Sequence, residues 1–202
     1  MQTARCLHGV LSLKSALVVA GGQVSGSGDN SSTNAVEVFK LDKMLWYAAE
    51  PLPVCLLNMS MTLLHNTCYV IGGYCDRPQC HVYYAELDSL LLSCEDQSMT
   101  KGLNTVWTTL PTDMPVCLPA AVNIAGNLLI IGGTAATEAR EPQSGVYVYS
   151  PSGGMWNHIG DLSTPRKICK AIKISPLEVL VIGGWTLEEG DKNTVVKGRL
   201  HS

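Results

Sequence analysis

Charged side chains are scarce in this chain. Asp, Glu, Lys and Arg make up 15% of its 202 residues, whereas they make up roughly 25% of an ordinary globular domain. The formal net charge is −3, from 14 basic and 17 acidic residues, and the basic residues form no cluster. Because nucleic acids and anionic membranes are bound by clustered Lys and Arg, the sequence argues against both as partners.

The sequence also lacks a recognisable membrane span or secretion signal. Residues 51–75 and 114–137 carry no charge and are long enough to cross a bilayer, but prolines, asparagines and paired glycines interrupt both stretches. The first apolar run, residues 11–22, contains Lys14 and recurs later in the chain, unlike a signal peptide. We therefore expect a cytoplasmic protein that does not associate with membranes.

Recognisable cofactor and metal motifs are missing too. The glycines within residues 21–28 do not have the G-x-G-x-x-G spacing of a dinucleotide loop, and no Walker loop occurs. Cys75, Cys80 and His81 could form half of a zinc site, but no second pair of ligands lies at a compatible spacing. We predict neither a cofactor nor a bound metal.

What the sequence does contain is a fourfold repeat. A hydrophobic run ends in a pair of glycines four times, and the first glycines of successive pairs are 51, 60 and 51 residues apart. A period of this length is typical of arrays of similar supersecondary units. The four glycine pairs are Gly21-Gly22, Gly72-Gly73, Gly132-Gly133 and Gly183-Gly184.

Each unit has the same parts in the same order. Short runs rich in Val, Ile and Tyr, bounded by Gly, Pro, Asn and Ser, predict four antiparallel strands, which we call a, b, c and d. The glycine pair ends strand b, an aromatic lies on strand c, and a tryptophan opens strand d. The second unit has a long insertion between strands c and d, residues 88–105. The strand c aromatics are Phe39, Tyr84 and Tyr149, and the strand d tryptophans are Trp46, Trp107 and Trp156.

This pattern resembles the kelch repeat of animal kelch-repeat β-propeller proteins. The resemblance covers nearly all of the chain and implies an all-β fold, a propeller of four-stranded antiparallel blades. Three blades are predicted to be complete and the fourth partial, because no tryptophan of a strand d follows the fourth glycine pair. We treat residues 1–202 as one partial propeller with approximate repeats 4–54, 55–116, 117–166 and 167–202.

The repeat also explains the cysteines. The chain has eight, and four of them lie near the start of strand a in successive units: Cys6, Cys55, Cys117 and Cys169. Equivalent positions in neighbouring blades need not meet the short distance that a disulfide requires. Together with the cytoplasmic expectation, this predicts free thiols.

Strand direction places the candidate binding residues. Since strand direction alternates, the b–c and d–a loops lie on one face of the propeller, and binding residues usually lie on such loops. Arginine is favoured at binding hot spots and in carboxylate recognition. Trp185 directly follows the fourth glycine pair and is either a ring packed over that turn or a binding anchor. The partner-binding candidates are Arg77, Arg140, Arg166, Asp76, Glu138 and Trp185.

These features favour a non-catalytic module that binds a segment of a partner protein. The resemblance implies roles such as substrate recognition in a ubiquitin-ligase adaptor or scaffolding on the cytoskeleton. The alternative is an enzyme of the kelch-propeller type with a site assembled across blades, for which no catalytic motif is visible. A six-bladed ring would need roughly 300 residues, so we also expect self-association of the incomplete propeller through its uncovered surfaces.

Overall fold

Strands form nearly all the regular structure in the computed structural model of this protein, which describes residues 1–25, 32–92, 106–137, 140–188, 190–191 and 193–200. The main strands form four antiparallel sheets in succession along the chain. Three of these sheets have four strands and the fourth has three. This confirms the predicted fold, with three complete blades and a partial fourth.

The first blade is a meander in the order β2-β3-β5-β6, and these are its strands a, b, c and d from the centre outward. Two short strands, β1 and β4, pair beside it on the side where strand b ends. The strands are β1 (Arg5–Cys6), β2 (Gly9–Ser12), β3 (Ala16–Ala20), β4 (Gln23–Val24), β5 (Val36–Lys40) and β6 (Leu45–Ala49).

The second blade repeats this order as β7-β8-β11-β12, and its b–c loop forms the small hairpin β9-β10. The predicted c–d insertion begins with a one-and-a-half-turn helix, and the rest of it lies outside the described residues. The elements are β7 (Ser60–Leu64), β8 (Thr67–Ile71), β9 (Tyr74–Cys75), β10 (Arg77–Pro78), β11 (Val82–Glu86), α1 (Leu87–Leu92) and β12 (Thr108–Thr109).

The third blade is ordered β13-β14-β15-β16, and the fourth is β17-β18-β21, with the hairpin β19-β20 in its b–c loop. Among the described residues no strand pairs with the outer edge of β21, where strand d of a complete blade would lie. The strands are β13 (Ala120–Ile124), β14 (Asn127–Ile131), β15 (Gly145–Tyr149), β16 (Trp156–Asp161), β17 (Lys170–Ser175), β18 (Glu178–Ile182), β19 (Trp185–Thr186), β20 (Gly190–Asp191) and β21 (Val195–Arg199).

The tryptophans of strand d pair with strand c in register. Trp46 lies opposite Phe39 and Trp156 opposite Tyr149, and the ring centroids of both pairs are 5.1 Å apart. The second blade differs by one residue, since Tyr84 pairs with Thr108. Trp107 itself lies just before β12, so the second blade does not repeat the in-register pairing of an aromatic with a tryptophan.

The hydrophobic core is divided among the junctions between consecutive blades. Three buried clusters lie between blades 1 and 2, 2 and 3, and 3 and 4. The described residues form no fourth cluster that would join blade 4 to blade 1. The far side of blade 4 instead exposes apolar side chains, with Ile172, Ile182 and Val195 at 47%, 40% and 56% exposure. The four blades thus form an arc with an uncovered last face.

The N-terminal segment covers part of the far side of blade 1, where Val10 remains 49% exposed. The Arg5 guanidinium forms an ion pair with Glu37 and donates to the carbonyl oxygens of Gly21 and Ala35 at 3.0 and 2.9 Å. Both charged side chains are almost fully buried, and the Gln2 amide also donates to the Glu37 carboxylate. Since each buried charge has its partner, this pair closes the end of the arc at lower cost than an unpaired charge would.

Candidate partner-binding face

The b–c and d–a loops meet on one face, as the alternation of strand direction predicts. In every blade the residue directly after the glycine pair forms a β-bridge to the segment that leads into strand a of the same blade, which is the N-terminal segment in blade 1 and the d–a loop in the others. The backbone of both loops is thereby held against the end of strand b, which makes a rigid base for exposed side chains. The bridges are Gln23 to Cys6, Tyr74 to Leu57, Thr134 to Cys117 and Trp185 to Lys167.

Two pairs of a cation and an aromatic ring lie across this face from blade 2 to blade 4. The Arg140 guanidinium lies 5.2 Å from the centre of the Tyr74 ring, and the Lys167 ammonium lies 4.4 Å from that of Trp185. Lys167 also donates to the Arg140 carbonyl oxygen at 3.0 Å, which joins the two pairs. We call Tyr74, Arg140, Lys167 and Trp185, in which the two cations lie between the two rings, the cation–aromatic row.

The row holds its side chains in defined positions. The Tyr74 hydroxyl donates to the Asp76 carbonyl oxygen at 2.8 Å, so the ring is fixed from both ends. A guanidinium stacked on a ring keeps its N–H edges available for a planar, bidentate bond to a carboxylate. At the other end, an open cleft of about 510 Å³ is lined by Lys167, Trp185 and Asp191, among others.

The structure brings some of the predicted residues to this face and not others. Arg140 and Arg77 are exposed, and Arg77 lies in the hairpin β9-β10 that also carries Tyr74. Asp76 is exposed at the turn of that hairpin, with a φ of 56°. Trp185 is half-buried beneath Lys167. Glu138 lies outside the described residues.

Arg166 lies inside the fold, although we expected it on the rim. Its residue exposure is 2%, and its guanidinium donates to the Gly183 carbonyl oxygen at 3.1 Å and the Thr194 hydroxyl at 3.4 Å. Arg5 occupies the same repeat position in blade 1 and bonds to Gly21 in the same way. The position serves to satisfy the carbonyl of the first glycine, so Arg166 supports the b–c loop from beneath.

The expectation of free thiols is wrong for one pair of cysteines. Cys80 and Cys117 form a disulfide, with their Cα atoms 4.6 Å apart. Cys80 ends the b–c loop of blade 2 and Cys117 lies in the d–a loop that enters blade 3, so adjoining loops of one face meet here. The thiols that are free within the described residues are those of Cys6, Cys55, Cys68, Cys75 and Cys169.

The free thiols differ in their exposure, which predicts how they react. Burial raises the pKa of Cys68 to about 12, and burial also raises the pKa of Cys169 above its ordinary value. Because the thiolate is the nucleophile, alkylation of the native protein at pH 8 should label the exposed Cys6 within minutes and spare Cys68 and Cys169. Mass spectrometry of the labelled peptides checks this, and rapid labelling of Cys68 in the native state would contradict the blade 1–2 packing.

The half-site suggested by Cys75, Cys80 and His81 is not assembled. Cys80 is in the disulfide, His81 contacts Asp113 through Nδ1 at 2.6 Å, and burial followed by the nearby Asp76 raises the pKa of Cys75. Across the described ranges, no group of three or more His, Cys, Asp or Glu side chains is placed to hold a metal ion. The described part of the chain also contains no helix with the length and apolar character of a membrane span.

Two members of the row, Tyr74 and Lys167, were not among the predicted site residues. A signal for Tyr74 exists in the sequence, because it follows the second glycine pair as Trp185 follows the fourth. An aromatic at this one position in two blades indicates a shared role. Lys167 has no such signal, since its contact with Trp185 depends on the bridge between the two loops.

Antiparallel blades in succession, three of them four-stranded and each with a glycine pair at the end of strand b, form a β-propeller arrangement that is consistent with a partial kelch propeller. It is similar to Kelch repeat and BTB domain-containing protein 12 of Homo sapiens, with 24% identity over 166 residues. The match covers 80% of this chain and 26% of the relative, so the chain spans about a quarter of the relative's length. No protein-family model matches the chain.

Proposed function

We propose that the cation–aromatic row binds an acidic or mixed-polarity segment of a partner protein, without chemical turnover. The propeller fold is of a kind that generally serves in protein interactions, and the row is the observation that carries the choice of ligand. Arg140 offers a planar donor group that is already held in place by Tyr74. Because the donor is already ordered before binding, less conformational entropy is lost when a partner binds.

The charges around the row favour a carboxylate-bearing ligand. Within the described residues, no carboxylate lies within ion-pair distance of Arg77 or Arg140. Asp76 and Glu141 are exposed on the same face, so a ligand with a uniformly negative charge would be repelled at these points. A segment with one or two carboxylates among apolar and basic residues suits this arrangement best.

Peptide binding tests the proposed function. Fluorescently labelled chain would be applied to an array of 15-residue peptides that carry one or two Asp or Glu residues among apolar and basic ones, beside the same peptides with Lys in place of the acids. We expect binding to acidic members only, weakened at high salt because exposed charges are screened. Arg140→Ala should lower the affinity by about tenfold or more.

The matched control for Arg140→Ala is Lys43→Ala, which removes one exposed positive charge from the β5–β6 turn on the opposite face. Its effect should stay within about twofold. Equal binding of the charge-reversed peptides, or an Arg140→Ala variant with wild-type affinity, would refute the proposal. Turnover of a small molecule at this face would favour the enzyme alternative.

We further propose that the chain acts in the cytoplasm as the recognition part of an adaptor or scaffold. Free thiols at five of the described cysteines suit a reducing compartment, whereas the Cys80–Cys117 disulfide would be unusual there. The relative's name includes a BTB domain as well as kelch repeats, which supports the proposal that a separate domain accompanies such a recognition surface. Affinity purification of the tagged full-length product from cells, with Arg140→Ala as the matched control, tests this role.

We propose that the isolated 202-residue chain self-associates through the far side of blade 4. Ile172, Ile182 and Val195 form an exposed apolar patch there, and such patches promote association. Sedimentation velocity should show dimers or larger species at micromolar concentration. Ile172→Asp should reduce them, whereas Met155→Asp, at an exposed turn of blade 3, should not. A monodisperse wild-type monomer would contradict this proposal.

A further inference from the structure

We propose that the Cys80–Cys117 disulfide is a redox switch that sets how firmly the loops of the cation–aromatic row are held, so that its reduction weakens partner binding there. The effect on binding rests on the proposed function of the row, whereas the effect on the loops does not. Three observations carry the proposal: the position of the bond between two adjoining loops, the hydrogen bonds that connect it to Tyr74 and Arg140, and the unequal burial of its two cysteines.

The disulfide joins the loops of two consecutive blades. Cys80 ends the b–c loop of blade 2, and Cys117 lies 37 residues further on, in the d–a loop that enters blade 3. Within the part of the chain that the structure describes, it is the one disulfide. A covalent bond at this position restricts both loops, because neither can move far without the other.

On the blade 2 side, the bond is tied to the loop that carries Tyr74. Tyr74 pairs with Pro78 across the hairpin β9-β10, and the Gln79 amide donates to the Gly73 carbonyl oxygen at 2.8 Å. The Cys80 carbonyl oxygen in turn accepts from the Met114 amide at 2.9 Å. The hairpin under the Tyr74 ring is therefore held at both of its ends, and Cys80 forms one of these ends.

On the blade 3 side, the bond is tied to the loop that carries Arg140. Cys117 and Thr134 exchange both backbone hydrogen bonds, at 2.9 and 2.7 Å. The Thr134 hydroxyl donates to the Glu141 carbonyl oxygen at 3.1 Å, and Glu141 adjoins Arg140, whose guanidinium lies over Tyr74. The contacts thus form a closed ring from the disulfide through both loops to the stacked pair and back.

The two cysteines differ in their access to a reductant. Cys80 is partly exposed, whereas Cys117 is 0% exposed. A thiolate of an external dithiol therefore attacks the Cys80 sulfur, and a mixed disulfide forms with Cys80. The bond between the two cysteine sulfurs breaks, and its electron pair passes to the Cys117 sulfur, which takes up a proton.

The second sulfur of the dithiol completes the reduction. As a thiolate it attacks the mixed disulfide, the dithiol leaves as a disulfide, and the Cys80 thiolate takes up a proton, so that two electrons and two protons reach the protein. Cys75 does not serve as the attacking thiol, because burial followed by the nearby Asp76 raises its pKa and leaves little thiolate. Exchange with a small-molecule disulfide re-forms the bond by the reverse steps.

Reduction removes the covalent part of the ring and leaves its hydrogen bonds. The two loops then move more independently, and the stacked pair of Tyr74 and Arg140 is less well ordered before a partner binds. In the cytoplasm proposed above, disulfides are usually transient and serve redox sensing or catalysis. Oxidation of Cys80 and Cys117 would then strengthen partner binding, because less conformational entropy is lost when a pre-ordered surface binds.

Hydrogen exchange of the full chain, with and without dithiothreitol, tests the effect on the loops. We expect reduction in the native protein, which a maleimide mass tag on Cys80 detects, and exchange about tenfold faster or more at the bridge amides of Cys117 and Thr134. Cys80→Ser should show the fast exchange in both buffers. The matched control, Cys75→Ser, removes a free thiol from the same loop and should respond to dithiothreitol as the wild type does.

The acidic peptides of the array test the effect on binding. Their affinity should fall by about fivefold or more on reduction and in Cys80→Ser, and Cys75→Ser should keep the wild-type response. Circular dichroism verifies that the reduced protein keeps its strands. If the loops loosen on reduction but no acidic peptide binds in either state, the proposed function of the row fails and the redox control of the loops stands.

Four results would overturn the switch and leave the proposed function of the row intact. They are a disulfide that dithiothreitol does not reduce in the native protein, equal loop exchange in both redox states, equal peptide affinity in both states, and global unfolding on reduction. The last of these would make the bond a structural one, and peptide binding by the oxidised chain would still report on the row.

Discussion

Gly133→Val is expected to leave the chain largely unfolded. Gly133 has a φ of +108°, and a Cβ added there would lie 2.5 Å from the Cys117 carbonyl oxygen and 3.1 Å from the Pro119 nitrogen. Both contacts are with backbone, in the bridge that holds the d–a loop against strand b, so neither can be relieved by a side-chain rotation. The loss should exceed about 4 kcal/mol, beyond the range of most single substitutions. Urea unfolding followed by circular dichroism measures it.

Gly126→Val is the matched control for this substitution. Gly126 also has a positive φ, +77°, but a Cβ there would meet no atom within 4 Å. Only the strain of the left-handed backbone remains, about 1–2 kcal/mol. If both variants lost the same stability, backbone conformation alone would explain the glycine pair, and close packing of the loop against it would be refuted.

Trp107→Ala is expected to lower the free energy of unfolding by about 3–5 kcal/mol, the usual cost of deleting a buried aromatic ring. Trp107 is 3% exposed and packs in the cluster between blades 1 and 2. Its indole N–H donates to the Glu50 carbonyl oxygen at 3.0 Å, so the substitution also leaves that acceptor without its donor. Chemical denaturation of the two proteins gives the difference directly.

Trp156→Ala and Trp185→Ala provide the comparison. Trp156 is only partly buried, and its indole nitrogen has no hydrogen-bond partner within the described residues, so its loss should cost less than that of Trp107. Trp185 is half-buried on the loop face, and its removal should weaken partner binding more than folding. An equal loss of stability from Trp107→Ala and Trp185→Ala would remove Trp185 from the candidate site.

The blade architecture could be predicted because its determinants are local and repeated. Short runs rich in Val, Ile and Tyr indicated each strand, and the glycine pairs set the units in register. The side-chain partners in blade 2 could not be predicted from the same pattern. Spacing identified Tyr84 as the strand c aromatic, but the ladder pairs it with Thr108 and not with the strand d tryptophan. Register is decided by pairing across strands, and a shift of one residue reverses which face each side chain takes.

The sequence was sufficient to predict which loops form the candidate face, but not which side chains contact each other there. Strand direction alone brings the b–c and d–a loops together, which indicated Arg77 and Arg140. The burial of Arg166 and the Cys80–Cys117 disulfide depend on how loops of different blades approach each other. Those approaches join residues far apart in the chain, and no spacing in the sequence records them.

The central claim is that the face of the b–c and d–a loops binds the partner, and the most direct test is to locate where a ligand contacts the protein. Hydrogen exchange would be measured on the chain with and without the tightest-binding acidic peptide from the array. The account predicts slower exchange in the loops that carry Tyr74, Arg140, Lys167 and Trp185, and no change in the β5–β6 turn or in α1 on the opposite face. Protection of α1 and the β5–β6 turn, with these loops unaffected, would contradict it.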